Sequence, residues 1–210
     1  MSHGDYILLL NSDTVVLPNS IQRLYQFGIR HTASFTGPKL LNADRSPQAS
    51  CGPFFSLPVV FTALFLKGDA LGITRWSPNT VRKVDWVSGA CLLGAKKLFS
   101  DDLLFDEKIF MYMEEIDLLY RARKKGYLTY FFPGSHIVHV GSGSSINKRK
   151  GPVLNIYRGF LYFYTKHYSR VQLRLLKILL RVKAVIAYTV GWATQNQLLK
   201  ETYEEAYRLV

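Results

Sequence analysis

Apolar residues run unbroken from Tyr6 to Leu10 in DYILLL (5–10) and then give way at once to NSDT, which predicts a buried strand ending in a turn. Pro18 and Asn19 open a helix that carries Ile21, Leu24 and Tyr25 at helical spacing. TGPKLLNADRSPQAS (36–50) predicts a β excursion with turn chemistry at residues 42–46. VDWVSGACLLGAKKLF (84–99) reads as a buried strand that turns into a short helix. A helix over 114–126 follows, then strands in YLTYFFP (127–133) and HIVHV (136–140), then a flexible GSGSS (141–145). Strands alternating with helices predict an α/β layer architecture for residues 1–145.

The period changes after Ser145, where a helical tail (146–210) is expected. Tyr157, Phe160, Leu161 and Tyr164 fall on one face of a helix. Arg170, Arg174, Lys177 and Arg181 then form a basic stripe beside Leu175, Leu176, Leu179 and Leu180. Such a helix suits the interface of an anionic membrane, or it packs on the domain with a solvated basic face. Neither apolar run, 51–66 or 184–194, reaches the ~20 residues of a membrane span.

Composition narrows the class. At 210 residues, 48% hydrophobic and 20% charged, the chain is long and apolar enough for a real core. A formal net charge of +12 predicts an anionic partner. Nucleic acid is disfavoured, because NKRK (147–150) stands alone without a recognised binding motif. Cys51 and Cys91 form no CxxC pair, so a reducing, cytoplasmic setting is the default. Asp5 interrupts the first apolar stretch, and no basic segment precedes it, so no signal peptide is expected.

Candidate chemistry begins with FMYMEEIDLLYRARKKGY (110–127). In a chain this basic, Glu114, Glu115 and Asp117 gather where a helix starts, and Arg121, Arg123 and Lys124 gather where it ends. Both groups suit the macrodipole, and Asp117 can pair with Arg121 one turn on. Helix electrostatics leaves open whether one of the adjacent acids is a catalytic base. Asp13 lies just past the carboxyl end of an apolar strand, where open α/β sheets place ligands. It could hold a hard divalent cation, or it could cap a turn. His139 ends another strand and is open to the same two readings, structural or ligating.

Taken in order, GDYILLLNSDTVVLPNSIQRL, GPKLLNADRSPQAS, VDWVSGACLLGAKKLF, FDEKIFMYMEEIDLLYRARKKGY and FFPGSHIVHVGSGSS closely resemble the family 2 glycosyltransferases, in particular their rhamnosyltransferase-like branch. The resemblance covers about residues 4–145. It implies a partial GT-A fold, that of nucleotide-diphospho-sugar transferases, followed by C-terminal amphipathic helices. In that pattern Asn11-Ser12-Asp13 stands at the metal-binding motif, with Asp13 its remaining carboxylate, and His139 completes the site for a divalent cation (Mg2+ or Mn2+). Glu115 stands at the expected catalytic base, with Glu where Asp is usual. Glu114, Asp117 and Arg121 match the supporting helix motif, while Trp86, Ser88 and Gly89 match the acceptor-side strand and turn.

The activity implied is inverting transfer of a sugar from a nucleotide-diphospho-sugar to a saccharide or lipid-linked saccharide of the cell surface, at the inner face of the cell membrane. Family members carry a nucleotide-binding half before the segment matching GDYILLLN. Only four residues precede Asp5 here, so the chain is expected to be a fragment, a truncated gene product or one half of a split enzyme completed in trans. The chain alone is then expected to grip a donor weakly. The alternative is a non-catalytic remnant or a partner-binding subunit.

Overall fold

The computed structural model describes residues 3–31, 33–99, 103–141 and 150–210. Five strands form the body of one sheet, in the order β1 (Tyr6–Leu10), β8 (Cys91–Ala95), β3 (Phe35–Leu41), β9 (Thr129–His139) and β2 (Thr14–Val16). β3 and β9 run parallel, whereas β1–β8, β8–β3 and β9–β2 are antiparallel. Two further strands join at the ends, β4 (Pro47–Gln48) on β3 and β6 (Arg82–Val84) on β9. β5 (Cys51–Gly52) and β7 (Trp86–Val87) form a separate antiparallel pair.

The expected α/β architecture is therefore present, with four local differences. DYILLL forms β1, but its residues are half-exposed rather than buried, because β1 lies at the sheet edge and pairs only with β8 among the described strands. YLTYFFP and HIVHV are one strand, β9, interrupted by a bulge. Pro38 pairs with Phe132 and Lys39 with His136, so residues 133–135 have no partners in the ladder. Pro133 has no N–H to donate, which makes this the natural place for the break. WVSGACLLGA is two strands in two different sheets, divided at Ser88–Gly89, followed by a 3₁₀ turn at Lys96–Leu98. One helix lacked a clear sequence signal, α2 (Leu57–Phe65), which is apolar on nearly every side, whereas α6 (Gln197–Arg208) lies within the helical tail expected over 146–210.

α1 (Ser20–Arg30) starts after Asn19 as expected and packs on the sheet through Leu24 and Phe27. α3 spans Glu114–Lys124 and stops at Gly126, whose φ of +87° favours glycine. α4 (Lys150–His167), α5 (Arg170–Ala193) and α6 complete the chain. One hydrophobic cluster joins Phe35, Leu92 and Phe131 of the sheet to Leu118 and Leu119 of α3, Tyr157, Phe163 and Tyr164 of α4, and Leu176 and Leu180 of α5. The helices after residue 150 thus share their apolar interior with the helix that carries Glu115. Among the described residues no helix is long and apolar enough to cross a membrane. Cys51 and Cys91 are free and buried, and burial pushes both thiols up to about 12. Except for Gly141, the GSGSS stretch lies outside the described residues, as do residues 147–149 of NKRK.

Candidate active site

Two groups of side chains carry the candidate chemistry. The first is built on β2 and β9. Thr14 pairs with His139, and the Val140 N–H donates to the Asp13 carbonyl at 3.0 Å, which fixes the two residues side by side. His139 Nε2 lies 3.4 Å from Asp13 Oδ1, and both side chains are partly exposed. The other ring nitrogen, Nδ1, is hydrogen-bonded to Gln48 Oε1 at 2.8 Å. One carboxylate oxygen and one imidazole nitrogen with its second nitrogen engaged form a donor pair that suits Mg2+ or Mn2+. Among the described residues no group of three or more His, Cys, Asp or Glu could hold a metal. A cation here would complete its coordination with ligand oxygens and water.

The second group is built on the N-terminus of α3. Glu115 Oε1 accepts from the Gly89 N–H at 3.2 Å. That contact falls at the point where WVSGAC changes sheet, so the break between β7 and β8 frees a backbone N–H for the carboxylate. Glu115 Oε2 is closed off from solvent and has no hydrogen-bond partner, and Glu114 Oε2 is in the same condition. Burial, then the adjacent Glu114, push the Glu115 carboxyl up to about 7, against the opposing influence of the Gly89 N–H and of Arg75. A carboxyl poised there can take a proton near neutral pH. The two groups are joined through the backbone, since the Asn11 N–H donates to the Ala90 carbonyl at 3.1 Å, next to Gly89.

Asp117 is fully buried and is held by Arg121 Nε at 2.8 Å, His167 Nε2 at 2.6 Å and Lys166 Nζ at 3.0 Å. Burial pushes its carboxyl up, but hydrogen bonds from His167, Lys166 and Arg121 outweigh it and hold the group below its ordinary value. Lys166 also reaches Asp106 at 2.6 Å, and Tyr162 donates to the same carboxylate. Asp117 therefore bolts α3 to α4 and is fully committed to that task.

The acceptor-side residues separate. Ser88 and Gly89 are partly exposed at the turn beneath Glu115. Trp86 is 2% exposed, donates to the Pro53 carbonyl at 2.8 Å and lies under the Arg75 guanidinium, so its ring belongs to the core. Sequence reasoning missed Gln48, Arg75, Lys166 and His167, which carry no local signal and matter only through contacts distant in sequence. It also passed over Phe110, which is 83% exposed, and Tyr112, whose φ of 82° is costly for a non-glycine residue. Both lie in the loop that delivers α3.

No protein-family model matches the chain. Over 151 residues it is 30% identical to the N-acetylglucosaminyl-diphospho-decaprenol L-rhamnosyltransferase of Mycobacterium tuberculosis, covering 64% of this chain and 47% of that protein. Over 119 residues it is 27% identical to the low-salt glycan biosynthesis hexosyltransferase Agl10 of Haloferax volcanii, covering 57% of this chain and 37% of that protein. The fold matches a crystal structure of GalNAc-T7 with UDP, GalNAc and Mn2+, with a TM-score of 0.51 and 14% identity over 97% of this chain and 38% of that one. The chain is a glycosyltransferase relative with a partial GT-A fold.

The likeness to GalNAc-T7 concerns the fold alone, while the two sequence matches carry the relationship to glycosyltransferases. This glycosyltransferase relative spans less than half the length of each of the three proteins.

Proposed function

We propose that this chain forms the metal-side and acceptor-side part of an inverting glycosyltransferase that moves a sugar from a nucleotide-diphospho-sugar to a saccharide or lipid-linked saccharide. The observation that carries the reading is Glu115, a carboxyl with one oxygen on the Gly89 N–H, the other without a partner, and a pKa raised to about 7. Its Oε2 takes the proton of an acceptor hydroxyl while that oxygen attacks the anomeric carbon. The bond from that carbon to the leaving phosphate oxygen breaks on the opposite face, and the configuration inverts. One base suffices for this displacement, whereas a glycosidase needs two flanking carboxyls. Oε2 is closed off from solvent here, so acceptor access requires local movement around it. Asp13 and His139 would hold a divalent cation, which neutralises charge on a departing diphosphate when bound.

The apolar face of α5 fits an anionic membrane surface. Val171, Leu175, Ile178, Val182, Val185 and Trp192 are all exposed and recur on one side of the helix. The helix carries Arg170, Arg174, Lys177, Arg181 and Lys183 and no acidic residue. Repulsion among these cations opposes pairing with a second copy of the helix, while lipid phosphates complement them.

The test is calorimetry with nucleoside diphosphates and Mn2+, in which the chain alone is expected to bind weakly, followed by sugar transfer from a panel of nucleotide sugars by the chain completed with an upstream nucleotide-binding half. Mn2+-dependent binding that weakens in Asp13→Asn is expected. Transfer should fall ~10²–10⁴-fold in Glu115→Gln, the usual contribution of a general base. Greater damage from Glu114→Gln would reverse the roles within the pair. Absence of cation-dependent nucleotide binding in the completed enzyme would favour a partner-binding subunit instead.

A further inference from the structure

We propose that the β3–β4 hairpin fixes the tautomer of His139 through a hydrogen-bond relay, Asp44–Ser46–Asn42–Gln48, so that Nε2 stays bare and faces Asp13, ready for a cation. Gln48 is thereby a positioning residue. The inference rests on the reading of Asp13 and His139 as a cation site.

Each link sets the direction of the next. Asp44 accepts at Oδ1 from both the Ser46 N–H, at 2.9 Å, and the Ser46 hydroxyl, at 2.5 Å. The hydrogen bonds from Ser46 hold the Asp44 carboxyl below its ordinary value, which keeps it an acceptor only. With its hydrogen committed there, Ser46 Oγ can only accept from Asn42, and it does so from Nδ2 at 2.9 Å. Asn42 therefore turns Oδ1 toward Gln48 Nε2, also at 2.9 Å. Gln48 then presents Oε1 to the imidazole at 2.8 Å. An amide oxygen cannot donate, so the proton on this ring sits on Nδ1.

A second constraint acts at the same place. Gln48 Nε2 also donates to the His139 carbonyl at 3.2 Å. Rotating the amide by half a turn would set its oxygen against that carbonyl and against Asn42 Oδ1, placing acceptor against acceptor twice. The orientation of Gln48 is thus dictated from both ends. The backbone supports it, because Gln48 lies opposite Leu40 on β3, and Leu40 pairs with Ile137 of the strand that carries His139.

The consequence is electrostatic. With Nδ1 protonated, the bare Nε2 lies 3.4 Å from the Asp13 carboxylate. Two acceptors face each other there, an arrangement that a cation between them relieves. With the proton on Nε2 instead, that nitrogen has no lone pair to offer a cation. Outer partners of this kind typically change metal affinity 10–100-fold.

The experiment combines two readouts on the whole chain. Long-range 1H–15N correlation NMR at pH 8, without metal, reports which ring nitrogen of His139 carries the proton. Electron paramagnetic resonance titration gives the affinity for Mn2+ alone and with a nucleoside diphosphate. The wild type should show the Nδ1–H form. Gln48→Met should shift His139 toward Nε2–H and weaken Mn2+ binding roughly 10–100-fold. Gln48→Glu still accepts from Nδ1, although it sets a second oxygen against Asn42 Oδ1 and the His139 carbonyl, and it should keep the wild-type tautomer. An Nε2–H ring in the wild type overturns the inference, as does a Gln48→Met protein with unchanged tautomer and affinity. A wild type that shows Nδ1–H yet binds no Mn2+ retires the cation reading, and the tautomer in the two variants then decides the relay by itself.

Discussion

Replacing Glu115 with glutamine should favour the folded state by more at pH 8 than at pH 4.5. The ordinary glutamate value of 4.5 rises to about 7 in the folded protein, first through burial and then through Glu114. Between those two values the folded state keeps a proton that the unfolded chain has released. Stability therefore falls as pH rises through that window and stays low above it. One pH unit corresponds to about 1.4 kcal/mol, so the full penalty at pH 8 is of the order of 3 kcal/mol. Glutamine keeps the size and the Oε1 acceptor for the Gly89 N–H but carries no charge to bury. Its unpartnered amide could add a cost, but that cost is the same at both pH values and cancels in the comparison. Urea unfolding of wild type and variant at pH 4.5 and pH 8 measures the difference directly. The stability gain at pH 8 should exceed that at pH 4.5 by about 2–3 kcal/mol, scaled from the same relation. Equal gains at the two pH values, or a larger one at pH 4.5, would show that Glu115 is ionised normally and would remove the main support for its role as a base.

Asp117→Asn should cost about 3 kcal/mol at neutral pH, because it leaves Lys166, His167 and Arg121 around a buried site without its charge. The wild-type carboxyl is held below its ordinary value, so its contribution is present above the unfolded value and is lost as pH falls through the folded one; thermal unfolding between pH 2 and 7 should show that loss in the wild type and not in the variant. Sedimentation with anionic vesicles should recover the chain at low salt and less of it as salt is raised, since the cations of α5 are screened; recovery in the supernatant regardless of salt or lipid charge would mean that α5 only packs on the domain.

Much of the local structure was determined by the sequence itself. The acids and bases of 114–125, together with Gly126, specify a helix with its direction, because charge–dipole and capping effects act within a turn. The turn at 42–46 and the start of α1 after Asn19 follow from equally local chemistry. The order of motifs also carried the relationship to glycosyltransferases and the nomination of Asp13, His139 and Glu115. Tertiary structure decided what those residues face. DYILLL is equally apolar in the middle of a sheet or at its edge, and only the strand order leaves β1 half-exposed. WVSGAC reads as one strand because its period never breaks; the change of sheet at Gly89 appears only once Glu115 meets it from 26 residues away. Gln48 and His139 lie 91 residues apart, and Asp117 and His167 lie 50 apart. Directional hydrogen bonds between such partners depend on where the chain has already been placed by packing, so no local pattern records them. Trp86 makes the same point from the other side: the sequence sets it next to Ser88 and Gly89, and its burial beneath Arg75 was settled by the core.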